Sequence, residues 1–286
     1  MSERLRSVFE TREAGQCLLS LFLTAGYPKK EPFQEVLDTL CEGGADILEV
    51  GMPFSDPLAD GPVIQRSSHE ALALGVDLDW ILQQVGEFRE RNDTTPVILM
   101  GYVNPLLTYG IAAFMEAAAR AGADGLILPD IPLEEMVRIQ PDAARHGLAL
   151  IGLVTPTTSE ERMRRLDSQL DGFIYTVLVT GVTGTRRGGG SAPGESEART
   201  TDFLKRVRAN VTRNPVMAGF GIREAADALP LAPYVEGYIV GSELLRRMAE
   251  LDFQGGDWRP ELLEFVKSLK LGDFGPSDVL KPSAHP

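Results

Sequence analysis

Histidine and cysteine are scarce in this 286-residue chain. There are three histidines (His69, His146 and His285) and two cysteines (Cys17 and Cys41). Neither type has the short paired spacing of a zinc site, and two distant cysteines imply no disulfide framework. No run reaches the roughly 18 apolar residues of a membrane-spanning helix. The opening MSERLRSVFETREAGQ has no signal-peptide core and reads as a polar amphipathic helix. Positive charge is also in deficit: 28 Lys and Arg against 41 Asp and Glu leave a net charge of −13. That balance argues against nucleic acid and anionic membranes as partners, so a soluble, cytoplasmic protein is the expectation. An anionic ligand would have to be held locally against the overall field, as backbone N–H groups at helix N-termini can do.

What the chain does have is alternation. Short apolar runs at 18–24, 47–51, 97–101, 125–128, 149–154, 172–177, 216–218 and 237–240 lack a polar–apolar period, as parallel strands buried on both faces do. Between and after them lie helical stretches at 33–41, 67–74 with 78–91, 112–121, 133–145, 160–166, 201–209, 225–229 and 262–269. Eight strand–helix units over about 250 residues predict an α/β chain folded as a (β/α)8 TIM barrel. An open doubly wound sheet is the competing architecture, but no GxGxxG follows the first strand. The phrases GGAD at 43–46 and AGAD at 121–124 each precede a strand; they read as helix C-caps that report architecture and carry no chemistry. The expected division is a single barrel domain over 1–270, with an N-terminal helix, a flexible loop at 185–200 after strand 6, and a loose tail over 271–286.

Residues 46–66, DILEVGMPFSDPLADGPVIQR, concentrate carboxylates where they are costly. Glu49 falls within a buried strand, where desolvation would raise its pKa toward neutrality and suit it to proton transfer. A Glu paired with an arginine or a backbone group fits the position equally well. Asp60, between Ala59 and Gly61, suits a turn or helix N-cap at least as well as a catalytic role.

The stretch LEVGMPFSDPLADGPVIQ closely resembles the signature of tryptophan synthase α subunits. The resemblance continues, in order, through LTAGYP at 23–28, LMGYVNPLLTYG at 99–110, DGLILPDIPLEE at 124–135, GVTG at 181–184, GFGI at 219–222 and VGS at 240–242. It implies that Glu49 is the catalytic acid/base, Asp60 the second catalytic carboxylate and Tyr175, at the end of strand 6, the active-site tyrosine. Thr183 matches a lid threonine that closes over Asp60. Phe22, Tyr102, Leu128, Leu153 and Phe220 match positions lining an indole pocket, although each is also ordinary barrel core. The loop holding Asp56 resembles the surface that contacts a β subunit in an αββα complex. The resemblance implies no cofactor in this chain, with pyridoxal phosphate confined to the β subunit.

The implied reaction is retro-aldol cleavage of indole-3-glycerol phosphate to indole and glyceraldehyde 3-phosphate. One carboxyl group can protonate indole C3 and then accept the hydroxyl proton. A second can stabilise the positive charge that develops on the ring. The two common aldolase chemistries fit poorly. A Schiff base needs a lysine on a strand, and Lys29, Lys30, Lys205, Lys267, Lys270 and Lys281 all lie outside the runs; clustered metal-binding histidines are also missing. Barrels often bind phosphate after strands 7 and 8 at an extra helix N-terminus, which assigns Gly184, Gly221, Gly241 and Ser242 to the phosphate, with Glu243 facing away. Two features depart from the family pattern: the loop after GVTG is longer, with Arg186, Arg187 and a glycine run, and Leu178 stands where a serine is usual. A free-standing lyase that releases indole and a non-catalytic regulatory subunit are the competing functions. The synthase that makes indole-3-glycerol phosphate would be expected to carry strand lysines.

Overall fold

A computed structural model describes residues 1–13, 15–178, 193–219, 221–254 and 256–271, and for 193–197 the backbone alone. Eight strands run in chain order around a closed barrel: β1 Leu18–Thr24, β2 Ile47–Gly51, β3 Val97–Met100, β4 Gly125–Ile127, β5 Ala149–Val154, β6 Ile174–Val177, β7 Val216–Gly219 and β8 Gly237–Val240. Every pairing is parallel, and β8 closes on β1 through Leu18↔Gly237. Nearly every strand position is buried, because one face meets the barrel interior and the other the helical layer. The single-domain (β/α)8 barrel is therefore observed.

The helices are α1 Glu3–Glu10, α2 Phe33–Glu42, α3 Pro62–Ala73, α4 Leu78–Arg89, α5 Val103–Tyr109, α6 Ile111–Ala121, α7 Leu133–Arg145, α8 Glu160–Gln169, α9 Pro193–Asn210, α10 Ala225–Ala228, α11 Ser242–Glu250 and α12 Trp258–Leu269. Four departures from the expected pattern have local causes. Helix α3 starts at Pro62 rather than 67, since proline suits the first helical position. Helix α5 was not foreseen; its seven residues are too few to show a period. Helix α9 begins at Pro193, so residues 193–200 are helix and not loop; the adjoining residues 185–192 lie outside the described residues, as does the expected tail from 272 onward. Strand β6 begins at Ile174 and not 172, because Gly172 adopts φ +102°, incompatible with a strand.

At the N-terminal ends of the strands, acidic residues hold the register. Asp46, just before β2, accepts the Leu19 N–H at 2.8 Å. Asp124, before β4, accepts the Val97 N–H at 2.8 Å, and Glu236, before β8, accepts the Val216 N–H at 2.6 Å. The GGAD and AGAD repeats are thus architectural, through their aspartates as well as their glycines. Asp124 is fully buried and also receives Arg89 Nη2 at 2.7 Å and Arg4 Nε at 2.9 Å. Arg4 belongs to α1, which seats Leu5 in the core and Phe9 against Phe173. The N-terminal face is closed by these contacts, leaving the C-terminal face for ligands.

Removing the acceptor from this knot leaves a nearly buried guanidinium and a strand N–H unpaired. Asp124→Ala is expected to cost about 3–5 kcal/mol of stability with little change in any activity seated on the opposite face. Chemical denaturation checks this; a loss under about 1 kcal/mol would mean that Asp124 is not the keystone described.

Candidate active site

Glu49 is the middle residue of β2, paired in register with Phe22 of β1 and Ile98 of β3. Strand alternation turns it inward, and it is 0% exposed. One carboxyl oxygen, Oε1, accepts the Ser20 hydroxyl at 2.6 Å. The other, Oε2, is buried with no partner among the described residues. Burial pushes the carboxyl up to about 7, and the Ser20 hydroxyl partly offsets that rise. The group can therefore hold a proton near neutral pH and give it up, as an acid/base must.

Asp60 sits in a different setting, at the end of the loop that joins β2 to α3. The loop folds on itself through Asp60 N–H to Pro57 O and Gln65 Nε2 to Asp60 O. The Tyr102 hydroxyl donates to Asp60 Oδ2 at 3.0 Å and accepts the Ala59 N–H at 3.0 Å. The Tyr102 ring stacks on Phe54, with centroids 5.2 Å apart. Burial raises Asp60 to about 6, against the pull of the Tyr102 hydrogen bond. Tyr102 is therefore more than a wall of the pocket: it sets the direction of the Asp60 carboxylate.

Tyr175 lies buried on β6. It is the second residue of β6 rather than its last, a correction to the sequence expectation. Burial raises its phenol well above the ordinary value, with contributions from the negative charges of both Glu49 and Asp60. Two clefts reach Asp60, and neither Glu49 nor Tyr175 is among their lining residues. The tyrosine ring fits only because β7 ends in glycine: a Cβ on Gly219 would lie 2.3 Å from the Tyr175 hydroxyl. Gly51 makes the same allowance for Phe22, whose ring would be 2.7 Å from a Cβ there.

A cavity of about 330 Å³ opens beside Asp60, with Met100, Leu128, Leu153, Thr155 and Val177 among its walls. Phe22 and Tyr102 line an adjoining cleft that also reaches Asp60. Four of the five expected pocket residues thus gather around Asp60; Phe220 lies outside the described residues, as do Thr183 and Gly184. On the other side of the barrel mouth, Gly221 adopts φ +84° after β7, a conformation favouring glycine. Gly241 is the N-cap of α11 and Ser242 its first residue, so the free N–H groups of the first turn are available there. Glu243 pairs with Arg246 at 2.5 Å. Asp56 is exposed and accepts the Ser55 hydroxyl at 2.5 Å; nearby Leu58 is 92% exposed. Sequence reasoning missed three contributors: Ser20, Met100 and Gly219. Ser20 was signalled by a lone polar residue within LLSLFLT, whereas Met100 and Gly219 gave no sign beyond lying at strand ends.

The family model described as tryptophan synthase alpha chain matches residues 9–270. The tryptophan synthase alpha chain of Xanthomonas axonopodis pv. citri (strain 306) is 45% identical over 250 residues, covering 87% of this chain and 91% of the relative. That of Xylella fastidiosa (strain 9a5c) is 46% identical over 229 residues, with 80% and 82% covered. Among solved structures, tryptophan synthase subunit alpha from Legionella pneumophila str. Paris superposes with a TM-score of 0.82 at 34% identity, covering 94% of this chain and 97% of that one. A chain of tryptophan synthase from M. tuberculosis in its aminoacrylate-bound form gives 0.79 at 32% identity, with 94% and 98% covered.

The burial of Glu49 has a consequence for stability. Its carboxyl rises from an ordinary 4.5 to about 7 on folding, so its favourable contribution is complete below pH 4.5 and is lost as pH rises through 7. Ionising it in the folded chain costs about 3 kcal/mol. Glu49→Gln, which cannot ionise, should gain in Tm relative to wild type by roughly 5 °C more at about pH 8 than at about pH 5. Equal Tm differences at the two pH values would show that Glu49 is not desolvated as described.

Proposed function

The chain belongs to the tryptophan synthase alpha chain family, and from that premise we propose the residue roles by which it works. It is a carbon–carbon lyase of tryptophan biosynthesis that cleaves indole-3-glycerol phosphate to indole and glyceraldehyde 3-phosphate. Glu49 is the acid/base: its buried carboxyl starts protonated, passes the proton to indole C3, and then takes the hydroxyl proton as the side chain leaves as an aldehyde. Asp60 faces the ring N–H as a carboxylate and stabilises the positive charge that forms when C3 is protonated. The single observation that supports this reading is a pair of carboxyls of different surroundings on and just after β2, one sealed in the barrel wall and one held by Tyr102 beside a cavity.

The remaining roles follow from the same placement. Tyr175 packs between the acids, and Phe22, Tyr102, Leu128 and Leu153, with Phe220, enclose the indole. Gly221, Gly241 and Ser242, with Gly184, hold the phosphate through backbone N–H groups at the α11 N-terminus. Thr183 belongs to the segment that closes the site. Residues 1–270 form the catalytic unit. The loop around Asp56 and Leu58 is the face for a β subunit in an αββα assembly; pyridoxal phosphate resides in that partner, and the assembly is cytoplasmic.

Indole release from indole-3-glycerol phosphate, measured with and without a β subunit, tests the whole reading. Glu49→Gln and Asp60→Asn should each lower the rate by about three orders of magnitude or more; a variant keeping over about a tenth of the wild-type rate would overturn that residue's role. The rate should rise when β subunit is added, and a chain equally fast alone would instead be a free-standing lyase. Gly221→Val should weaken binding of a phosphate ester far more than of indole, and equal losses would remove the phosphate site.

A further inference from the structure

Ser20 is the one polar residue inside β1 before its last position, and it is 0% exposed. It shares the inward face of β1 with Phe22 and Thr24, both of which line the cleft beside Asp60. A buried hydroxyl without a partner is costly, so its presence in the barrel interior calls for an acceptor. The acceptor is Glu49 Oε1 at 2.6 Å, within the short range of a hydroxyl bonded to an ionised carboxylate. The second carboxyl oxygen, Oε2, is buried and has no partner among the described residues.

From this asymmetry we propose that Ser20 is a positioning residue for the cleavage: its hydroxyl pins Glu49 Oε1 so that Oε2 is the oxygen that exchanges protons with substrate. The proposal rests on the reading of Glu49 as the acid/base. A hydroxyl donating to Oε1 leaves the carboxyl proton on Oε2, the oxygen not otherwise engaged. When that proton passes to indole C3, the carboxylate left behind keeps its hydrogen bond from Ser20. Oε2 then accepts the substrate hydroxyl proton while the C–C bonding pair passes to the indole ring, and Glu49 ends protonated as it began. Because a hydroxyl can turn on its own axis, it follows both protonation states without moving the strand.

Among the described residues, Ser20 is the group that offsets the effect of burial on Glu49. The neighbouring strands present Phe22 from β1 and Ile98 from β3, which do not titrate. The titratable group on which Glu49 and Asp60 both act is the buried Tyr175 of β6. Burial favours the protonated form of Glu49, and Ser20 favours its ionised form.

The test compares Ser20→Ala and Ser20→Thr with wild type, measuring kcat and KM for indole release across the pH range. The alkaline limb of kcat reports loss of the Glu49 proton. Ser20→Ala should lower kcat about tenfold, leave KM within about twofold, and move the alkaline limb up by about one pH unit. Ser20→Thr, which keeps the hydroxyl, should restore the limb and most of kcat. An alanine variant with unchanged kcat and an unmoved limb overturns the proposal, as does failure of threonine to rescue a folded alanine variant. A 13C NMR titration of the Glu49 carboxyl without substrate gives an independent readout: in Ser20→Ala its midpoint should rise, and an unchanged midpoint counts against the proposal even if the variant is slow. If Glu49→Gln remains active, the acid/base reading itself fails; if it is inactive while Ser20→Ala behaves as wild type, only the role of Ser20 fails.

Discussion

The structure turns on one unfavourable act, the enclosure of an ionisable carboxyl in the wall of a β-barrel. Among the described residues, the one hydrogen-bond partner of the fully buried Glu49 carboxyl is the hydroxyl of Ser20. The energy that this costs on ionisation is what makes the side chain useful, because a carboxyl at its ordinary pKa would hold almost no proton at neutral pH. Much of the local sequence serves that enclosure. Gly51 lets the Phe22 ring close over the strand, and Gly219 lets Tyr175 lie flat against β7. Any side chain at either glycine would push an aromatic ring out and admit water.

Asp60 shows the complementary solution. It lies on a connection that folds through its own hydrogen bonds and reaches over the barrel mouth, so it is less enclosed and its carboxyl rises only to about 6. Near neutral pH it is largely charged, while Glu49 is about half protonated. In the proposed mechanism, two residues of one chemical class are thereby given opposite tasks by their surroundings. The tyrosine at 102 serves as a tether in this scheme, since its hydroxyl touches both the Asp60 carboxylate and the backbone of Ala59. The whole chain carries a net charge of −13, which makes a phosphate site formed from neutral backbone groups at α11 the physically reasonable way to hold an anionic ester.

How far the residues announced this depends on the kind of signal. All eight strands were legible, four of them to the residue, because two-sided burial forces continuous apolar runs such as LLSLFLT and ALIGLV. Helix starts were less so: α3 and α9 both open with proline and polar residues, which carry no apolar period. Glu49 and Asp60 stood out singly as costly carboxylates, but only the long motif around them tipped the balance from structure to chemistry. Ser20 and Gly219 escaped because their meaning lies on the neighbouring strand. Ser20 matters through a residue 29 positions away, and Gly219 through the ring of Tyr175, contacts that no local pattern reveals. Tyr102 was expected to line a pocket and it lines the cleft beside Asp60, but its hydrogen bond to Asp60 needed coordinates.

The two ends of the barrel show why this division is stable. At the N-terminal face, acids are matched: Asp124 by Arg4, Arg89 and a strand N–H, Asp46 by Lys270 and Leu19, Glu236 by Arg208 and Val216. In the interior below the C-terminal face, Glu49 is left without any such partner. The partnered acids lock register through strand N–H groups, and Glu49, raised by burial, contributes nothing to register. Placing the first kind where strands begin and the second farther along, inside the barrel, keeps the register-holding acids apart from Glu49. Bringing an arginine beside Glu49 would satisfy the carboxyl and strengthen the wall, at the expense of the proton it carries in the proposed mechanism.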